Sequence, residues 1–290
     1  MPDYVIITDS TTDFNEYMIK KLNIEILPLK FHIGDKTYND VANSKNLKIE
    51  EFYDSLRRGK TSSTSQINPE DFIKAFRPHL EVQEDILYIA FSSGLSGTYS
   101  SACIAAKELK TEFPDRKIII VDSLSASLGE GLLVYLAVKE KQKGVDIESL
   151  SKWINETKKN ICHWFTVDDL QHLKRGGRIS ATVAFFGSLI NIKPLLHVDN
   201  QGKLVLVNKT RGRKKAINAL LDKMEKTGTN LESQEIFISH GDCKEDADYT
   251  ANLIKKRFKV KNIFINTIGP VIGSHAGPGT LAIFFIGNER

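Results

Sequence analysis

The amino-acid sequence predicts an α/β protein, with a parallel sheet in an N-terminal domain and a mixed sheet in a second α/β domain. Three observations lead to this prediction. Short runs rich in Ile, Val and Leu alternate with segments whose apolar residues recur every three or four positions. Several of these runs end in a cluster of Ser, Thr and Asp. Beyond residue 160, a turn between two apolar runs indicates antiparallel pairing.

In the first half, near-continuous apolar runs separated by helical segments are typical of a parallel sheet covered on both faces. We predict strands at residues 4–8, 24–29, 86–91 and 117–121. The spacing of Ala102, Ala106 and Leu109 predicts a helix after the third strand. Asn68 followed by Pro69 predicts another helix start, because these residues suit the N-cap and the first helical position. Residues 139–144 read as a charged helix end or linker.

The pattern of apolar and polar residues changes in the second half, and we predict two domains, at residues 1–160 and 161–290. Residues 199–203 form a turn pattern between the apolar runs 194–198 and 204–207. Further strands are predicted at residues 235–240, 262–266 and 281–286.

Composition narrows the class of protein. The chain has 290 residues, is 41% hydrophobic and carries a net charge of +4, which is too small to indicate nucleic-acid binding. No apolar run approaches the roughly 18 residues of a membrane span, and no basic segment precedes the first apolar run. Three widely spaced cysteines form no C-x-x-C motif. We therefore expect a cytoplasmic protein without a metal site or structural disulfides.

A loop rich in hydroxyl groups, residues 91–99, is the most informative segment. It lies between a predicted strand and a predicted helix, where free N–H groups and hydroxyls stabilise an anion. One helix cap needs one side chain, and the surplus of hydroxyls favours ligand contact; the candidates are Ser92, Ser93, Ser96 and Thr98. Clusters also follow the strands that end near Asp9 and Asp122, so we expect the three loops to meet at one crevice.

Other segments also contain candidate functional residues, but their motifs are less specific. Thr64 and its polar neighbours just before Asn68 read either as an ordinary loop or as a second hydroxyl cradle. His275, in a glycine-rich loop at residues 273–280, is a hydrogen-bond donor for an anion. Two basic segments suit the binding of phosphate or of an acidic partner: one contains Arg175 and Arg178, and the other is residues 209–215. Such basic runs are commonly no more than solvated faces.

Two further functions compete with simple anion binding. A serine-dependent acyl hydrolase or acyltransferase would use Ser96 and His275, but the sequence lacks the G-x-S-x-G elbow and an evident acid partner. A DNA-binding regulator would use the basic segment 209–215, and it predicts steeply salt-dependent binding. The chain has neither a G-x-x-x-x-G-K-S/T loop nor a strand-linked G-x-G-x-x-G, so a nucleotide site is unsupported.

Taken together, the motifs resemble those of the DegV family, the fatty-acid-binding proteins also called FakB. Their order and spacing match over nearly the whole chain, although Ile67-Asn68 stands where the family usually shows proline and serine. The segments that carry the resemblance are 8–11, 64–66, 92–99, 121–123, 174–179, 192–194 and 273–279.

The resemblance implies a DegV-like fold and a non-catalytic, cytoplasmic protein that holds one long-chain fatty acid in an apolar ligand tunnel between the two domains. Thr64, Ser96 and His275 match residues at the carboxylate, and we add Ser93 to this carboxylate-binding set. Arg178 and Arg211 match arginines that work with a separate fatty acid kinase, and we add Arg175.

That kinase would use ATP to form an acyl-phosphate for phospholipid synthesis. The resemblance implies no cofactor and no nucleic-acid partner. We expect a monomer whose membrane contact is peripheral and serves lipid exchange. Phe185 and Phe186, with Leu189 and Ile190, are candidates for the tunnel lining or for plain core packing.

Overall fold

The computed structural model describes residues 4–180, 191–288 and 290, which form three sheets flanked by helices. The strands are β1 (Tyr4–Asp9), β2 (Glu25–Leu27), β3 (Lys30–Ile33), β4 (Lys36–Asn39), β5 (Ser62–Ser65), β6 (Asp85–Ala90), β7 (Ile118–Asp122), β8 (Ile161–Thr166), β9 (Ile192–Val198), β10 (Leu204–Arg211), β11 (Glu235–His240), β12 (Asn262–Thr267) and β13 (Leu281–Ile286). The α-helices are α1 (Glu16–Leu22), α2 (Ile49–Arg57), α3 (Pro69–Glu81), α4 (Thr98–Glu112), α5 (Leu128–Gln142), α6 (Ile147–Thr157), α7 (Gln171–Arg175), α8 (Arg213–Thr227), α9 (Lys244–Phe258) and α10 (Pro270–Ala276).

The N-terminal sheet is parallel, in the order β2-β1-β6-β7, as the apolar runs predict. Its two central strands, β1 and β6, are buried on both faces, with Ile7, Leu87 and Ile89 fully inaccessible to solvent. Because the strands are parallel, the loops after β1, β6 and β7 leave the same edge of the sheet. This is the edge at which ligands bind in open α/β sheets.

The second sheet is mixed, in the order β10-β9-β8-β13-β11-β12, and it confirms the predicted second α/β architecture. Only β11 and β12 pair in parallel, while β9 and β10 form the predicted hairpin. The helix α5 packs between this sheet and the parallel one. Its residues Leu128 and Leu132 share one core with Ile6 and Leu87 on one side and Phe237 on the other. The domain boundary at residue 160 stays a prediction, because this core contains residues from both halves.

A small antiparallel sheet, in the order β4-β3-β5, corrects the interpretation of Thr64 and Ser65 as part of a loop, whereas Gln66 does follow the strand as loop. Thr64 lies in β5, opposite Phe31 of β3. The segment Ser62–Ser65 has four hydroxyl side chains and no apolar alternation, so nothing in its pattern predicts a strand. Pairing with β3 satisfies its backbone and decides its conformation. The helix start at Asn68 is confirmed, since its side chain accepts the Asp71 N–H at 2.8 Å.

Candidate functional site

A cavity of about 200 Å³ lies between the carboxyl edge of the parallel sheet, the six-stranded sheet and α10. Polar groups gather at one part of its wall, where Thr64, Ser96, Arg178 and His275 contribute to the lining. The remaining wall is mainly apolar, and it includes Leu95, Phe165, Leu173, Val198, Leu204 and Phe284. A cavity of this kind suits an elongated apolar molecule with one anionic end.

Thr64 and His275 meet directly in this wall. His275 Nε2 lies 2.8 Å from Thr64 Oγ1, with the donor decided by the imidazole tautomer. The prediction that His275 lies in a glycine-rich loop is wrong, because it belongs to the last turn of α10. Pro270 occupies the first turn of this helix, and Gly277 ends it with a φ of 79°. Gly273 therefore lies inside a short helix that Gly277 ends, and the glycines do not form a continuous loop.

The imidazole of His275 is neutral at physiological pH. Burial, reinforced by the nearby guanidinium of Arg178, lowers the pKa of His275 to about 4. Within the described residues, its buried Nδ1 has no hydrogen-bond partner. The ring lies against the main chain of Gly176, where an added Cβ would come 2.0 Å from Nδ1. Any side chain at position 176 would therefore displace His275.

Ser96 lies in the loop between β6 and α4, at the start of a 15-residue helix. Its Oγ accepts the Thr98 N–H at 3.2 Å and lies 2.9 Å from Thr98 Oγ1. Gly97, the N-cap residue, offers no side chain, so the hydroxyl of Ser96 partly replaces a cap. The amide of Gln66 covers Gly97, where an added Cβ would lie 2.1 Å from Gln66 Oε1. The positive end of the helix dipole therefore faces the polar part of the cavity.

This geometry gives no support to a serine hydrolase. The hydroxyl of Ser96 is hydrogen-bonded to Thr98, whereas the imidazole of His275 is hydrogen-bonded to Thr64. A triad requires the histidine to hold the nucleophile on one ring nitrogen and an acid on the other. Neither contact is present among the described residues, since Nδ1 of His275 is unpartnered there.

The hairpin of the six-stranded sheet holds the loop that carries Ser96. Ser92 Oγ donates to the carbonyl oxygen of Gly202 at 2.8 Å, across the tip of the β9–β10 hairpin. Gly94 packs so closely on this tip that an added Cβ would lie 2.6 Å from the carbonyl oxygen of Gln201. Arg178 Nε donates to the carbonyl oxygen of Leu95 at 3.0 Å. Elements from the second half thus fix the position of the hydroxyl-rich loop.

The structure brings together four of the seven residues singled out from the sequence. Thr64, Ser96 and His275 line the cavity, and so does Arg178, which sequence reasoning had assigned to phosphate or kinase docking. Burial lowers the pKa of the Arg178 guanidinium.

The other three candidates lie outside the cavity. Ser93 is exposed, and its N–H donates to Asp122 Oδ1 at 3.1 Å. Arg175 and Arg211 are exposed at the ends of α7 and β10.

The three hydroxyl clusters at the sheet edge do not all reach the cavity. The loops after β6 and β7 do, through Ser96 and Ser127. The cluster after β1 is instead a buried network, in which Asp9 accepts hydrogen bonds from Thr11 and Tyr88. Through Asp9 and Thr11 this network joins the end of β1 to β6 and α5.

Sequence reasoning missed three polar residues of the cavity wall: Ser127, His163 and Ser239. Ser127 Oγ lies 3.0 Å from Ser239 Oγ. Burial lowers the pKa of His163 well below its usual value, and its Nδ1 lies 2.9 Å from the carbonyl oxygen of Ile161. Ser127 follows the hydroxyl cluster after β7, and this position is a weak sequence signal for a place in the cavity wall. The other two occupy inward positions of strands, which only the strand pairing reveals. The proposed tunnel residues Phe185, Phe186, Leu189 and Ile190 lie outside the described residues.

The described part of the chain has neither a helix that could cross a membrane nor a cluster of side chains that could hold a metal ion. No α-helix there has both the length and the apolar character needed to cross a bilayer. Residues 4–180, 191–288 and 290 also contain no group of three His, Cys, Asp or Glu side chains placed to hold a metal ion.

Comparison with known proteins agrees with this fold. The family model described as "Uncharacterised protein, DegV family" matches residues 3–288. The DegV domain-containing protein CPE0026 of Clostridium perfringens is 47% identical, over 100% of this chain and 99% of its own. The chain therefore belongs to the DegV family.

Two solved structures extend the comparison. A DegV lipid-binding protein of Thermotoga maritima is 32% identical and superposes with a TM-score of 0.86, covering 100% of both chains. The protein TM841 of the same organism is described as revealing a fatty-acid-binding function. It is 31% identical with a TM-score of 0.85, over 99% of this chain and 100% of its own.

Proposed function

We propose that this protein binds one long-chain fatty acid, with the acyl chain in the apolar part of the cavity and the carboxylate among Thr64, Ser96 and His275. The observation that carries the proposal is the gathering of hydroxyls, a neutral imidazole and one guanidinium at one part of a mainly apolar cavity wall. The lipid and fatty-acid binding described for the two Thermotoga maritima proteins supports the same ligand class.

The energetics of this arrangement favour a long acyl chain. Each buried methylene contributes about 0.8 kcal/mol, so a C16 chain supplies most of the affinity. Hydrogen bonds to the carboxylate contribute roughly 1.5–3 kcal/mol each and determine its orientation. The half-buried Arg178 offers a positive charge at the same part of the wall. The carboxylate would therefore be recognised by hydrogen bonds and by one nearby cation.

Native mass spectrometry and calorimetry with palmitate test this proposal. Delipidated protein should bind one palmitate, and protein purified without delipidation should carry masses in the C14–C18 fatty-acid range. Leu204→Gln, in the cavity wall, should weaken binding. Val205→Gln, on the neighbouring position of β10 and 36% exposed, should leave it unchanged. Protein that ignores palmitate, or equal effects of the two variants, would count against the proposal.

We propose further that the bound carboxylate is presented to a separate fatty acid kinase. There a carboxylate oxygen would attack the γ-phosphorus of ATP, giving acyl-phosphate and ADP. The family resemblance supports this step, as does a sequence without a recognisable nucleotide-binding motif. This chain would then be the non-catalytic, lipid-binding partner, and the exposed Arg175 and Arg211 would face the kinase or its phosphates.

Trapping the acyl-phosphate with hydroxylamine tests the kinase step. Arg175→Glu and Arg211→Glu should lower product formation by a fatty acid kinase with ATP while palmitate affinity is retained. Lys226→Glu, at an exposed position of α8, provides the charge-matched control. Equal rates for all three variants would remove the two arginines from the docking surface.

A further inference from the structure

Asp13 is a buried carboxylate with contacts to two separate parts of the cavity wall. It is 4% exposed and follows β1 and one turn of 3-10 helix, with a φ of 54° that aspartate tolerates. Its Oδ1 accepts the N–H of Gly269 at 2.8 Å, and its Oδ2 accepts the hydroxyl of Ser127. Its main-chain carbonyl accepts the side-chain amide of Asn266 at 2.7 Å. Asp13 therefore joins the end of β1 to the starts of α5 and α10.

The first of these contacts bears on the cavity through Ser127. This residue lines the cavity and precedes α5 with φ 55° and ψ −148°, a conformation that residues other than glycine rarely adopt. Such a conformation persists only where the surroundings hold it. The carboxylate of Asp13 is one of two groups bonded to its hydroxyl, the other being Ser239.

The second contact bears on the cavity through α10. Asp13 and Asp40 accept the N–H groups of Gly269 and Val271, at 2.8 and 3.2 Å, and so fix the start of this helix. An added Cβ on Gly269 would lie 2.9 Å from Asp13 Oδ1. Val271 and His275 of the same helix line the cavity. A shift at the start of α10 would therefore move His275 relative to Thr64.

We propose that Asp13 is a positioning residue of the fatty-acid site, which it reaches through Ser127 and α10 without contacting the ligand. This inference rests on the proposed function and names a group that keeps the site in its binding geometry. The burial that raises the pKa of the Asp13 carboxyl is opposed by the hydrogen bonds from Ser127 and Gly269. Both oxygens of this side chain therefore accept a hydrogen bond from a group that supports the cavity wall.

NMR titration of His275 in the ligand-free protein, together with calorimetry using palmitate, tests the proposal. Asp13→Ala should move the midpoint of His275 upward from about 4 towards about 6.5, because a displaced ring meets water. The Kd for palmitate should rise about tenfold or more. Asp13→Asn should restore both values, since its amide can still accept from Gly269 and can donate to Ser127.

Two further variants keep the test decisive. If Asp13→Ala does not fold, Gly269→Ala presses on the carboxylate without removing it and should produce the same changes at smaller size. Leu150→Ala, a fully buried residue of α6 outside the cavity wall, should lower the melting temperature but leave His275 and the Kd unchanged.

The proposal is overturned if Asp13→Ala or Gly269→Ala keeps both wild-type values, or if Leu150→Ala changes them equally. A wild-type protein that does not bind palmitate would instead refute the proposed function, because the His275 titration needs no ligand.

Discussion

His275 Nε2 lies 2.8 Å from Thr64 Oγ1, and this contact joins the last turn of α10 to β5. The other side of the ring rests on Gly176, where the main chain comes so close that no side chain fits. Three elements that are distant in sequence thus hold one imidazole in the cavity wall. The four predictions below follow from this site and from the groups that support it.

Gly176→Ala tests the packing of His275. The new methyl group would lie 2.0 Å from Nδ1, so the ring must shift from the position in which it contacts Thr64. Overpacking of this kind costs about 1–3 kcal/mol, and we expect palmitate affinity to fall by roughly tenfold. Calorimetry measures the change, with Arg175→Ala, at the exposed neighbouring position, as control. Unchanged affinity in Gly176→Ala would show that the position of His275 is unimportant for binding.

A pair of serine variants separates the hydroxyls of the loop between β6 and α4. Ser96→Ala removes a hydroxyl from the cavity wall, whereas Ser93→Ala removes one that is exposed. Loss of a hydrogen bond to a carboxylate costs roughly 1.5–3 kcal/mol, so we expect Ser96→Ala to weaken palmitate binding about 10- to 100-fold. Ser93→Ala should bind like the wild type. A larger effect at position 93 would contradict the site geometry.

Asp40→Asn tests the buried carboxyl that accepts the N–H of Val271 in the first turn of α10. Burial raises the pKa of Asp40 to about 7. A carboxyl with a raised pKa in the folded state stabilises the fold fully below its unfolded pKa, near 3.8, and this contribution is lost as the pH rises to about 7. One pKa unit corresponds to about 1.4 kcal/mol, so between pH 5 and 8 the variant should gain more than about 1 kcal/mol relative to the wild type.

Thermal or urea unfolding at several pH values measures this difference. Asp35→Asn, at an exposed position beside the β3–β4 turn, is the matched control and should follow the wild type at every pH. A constant difference between Asp40→Asn and the wild type from pH 5 to 8 would show that Asp40 does not titrate in this range.

Ser92→Ala tests the contact between the hydroxyl-rich loop and the β9–β10 hairpin. The variant loses the hydrogen bond to the buried carbonyl of Gly202. We expect the free energy of unfolding to fall by about 1–3 kcal/mol, because the carbonyl keeps no equivalent partner. Denaturant unfolding provides the measurement, with Ser100→Ala on the exposed side of α4 as control. Equal stabilities of the two variants would argue against this contact.

The parallel sheet was predictable because each of its strands coincides with a short run of apolar residues in the sequence. The strand that contains Thr64 was not predictable, because Ser62–Ser65 consists of hydroxyl residues and depends on β3 for its conformation. The helix containing His275 was missed for a similar reason. Its start is stabilised by Asp13 and Asp40, which lie more than 200 residues earlier in the chain.

The candidate site was predictable only in part. Thr64, Ser96 and His275 were identified from local motifs and a family resemblance, and the structure brings all three to one cavity. The location of Arg178 in the same wall depends on how the segment after α7 packs against Leu95. Such packing has no local signature. Motifs thus identified the residues, whereas tertiary contacts decide which of them meet.

The contact between Ser92 and Gly202 links positions 110 residues apart. Closing so long a segment of chain costs conformational entropy before any contact stabilises it. During synthesis, the parallel sheet and the loop after β6 emerge well before the hairpin that holds this loop. On a nascent chain the cavity wall can therefore be completed only after the β9–β10 hairpin has emerged and docked, because Val198 and Leu204 are part of it. A nascent chain that stops before residue 192 has the hydroxyls of the site without the partner that orders them.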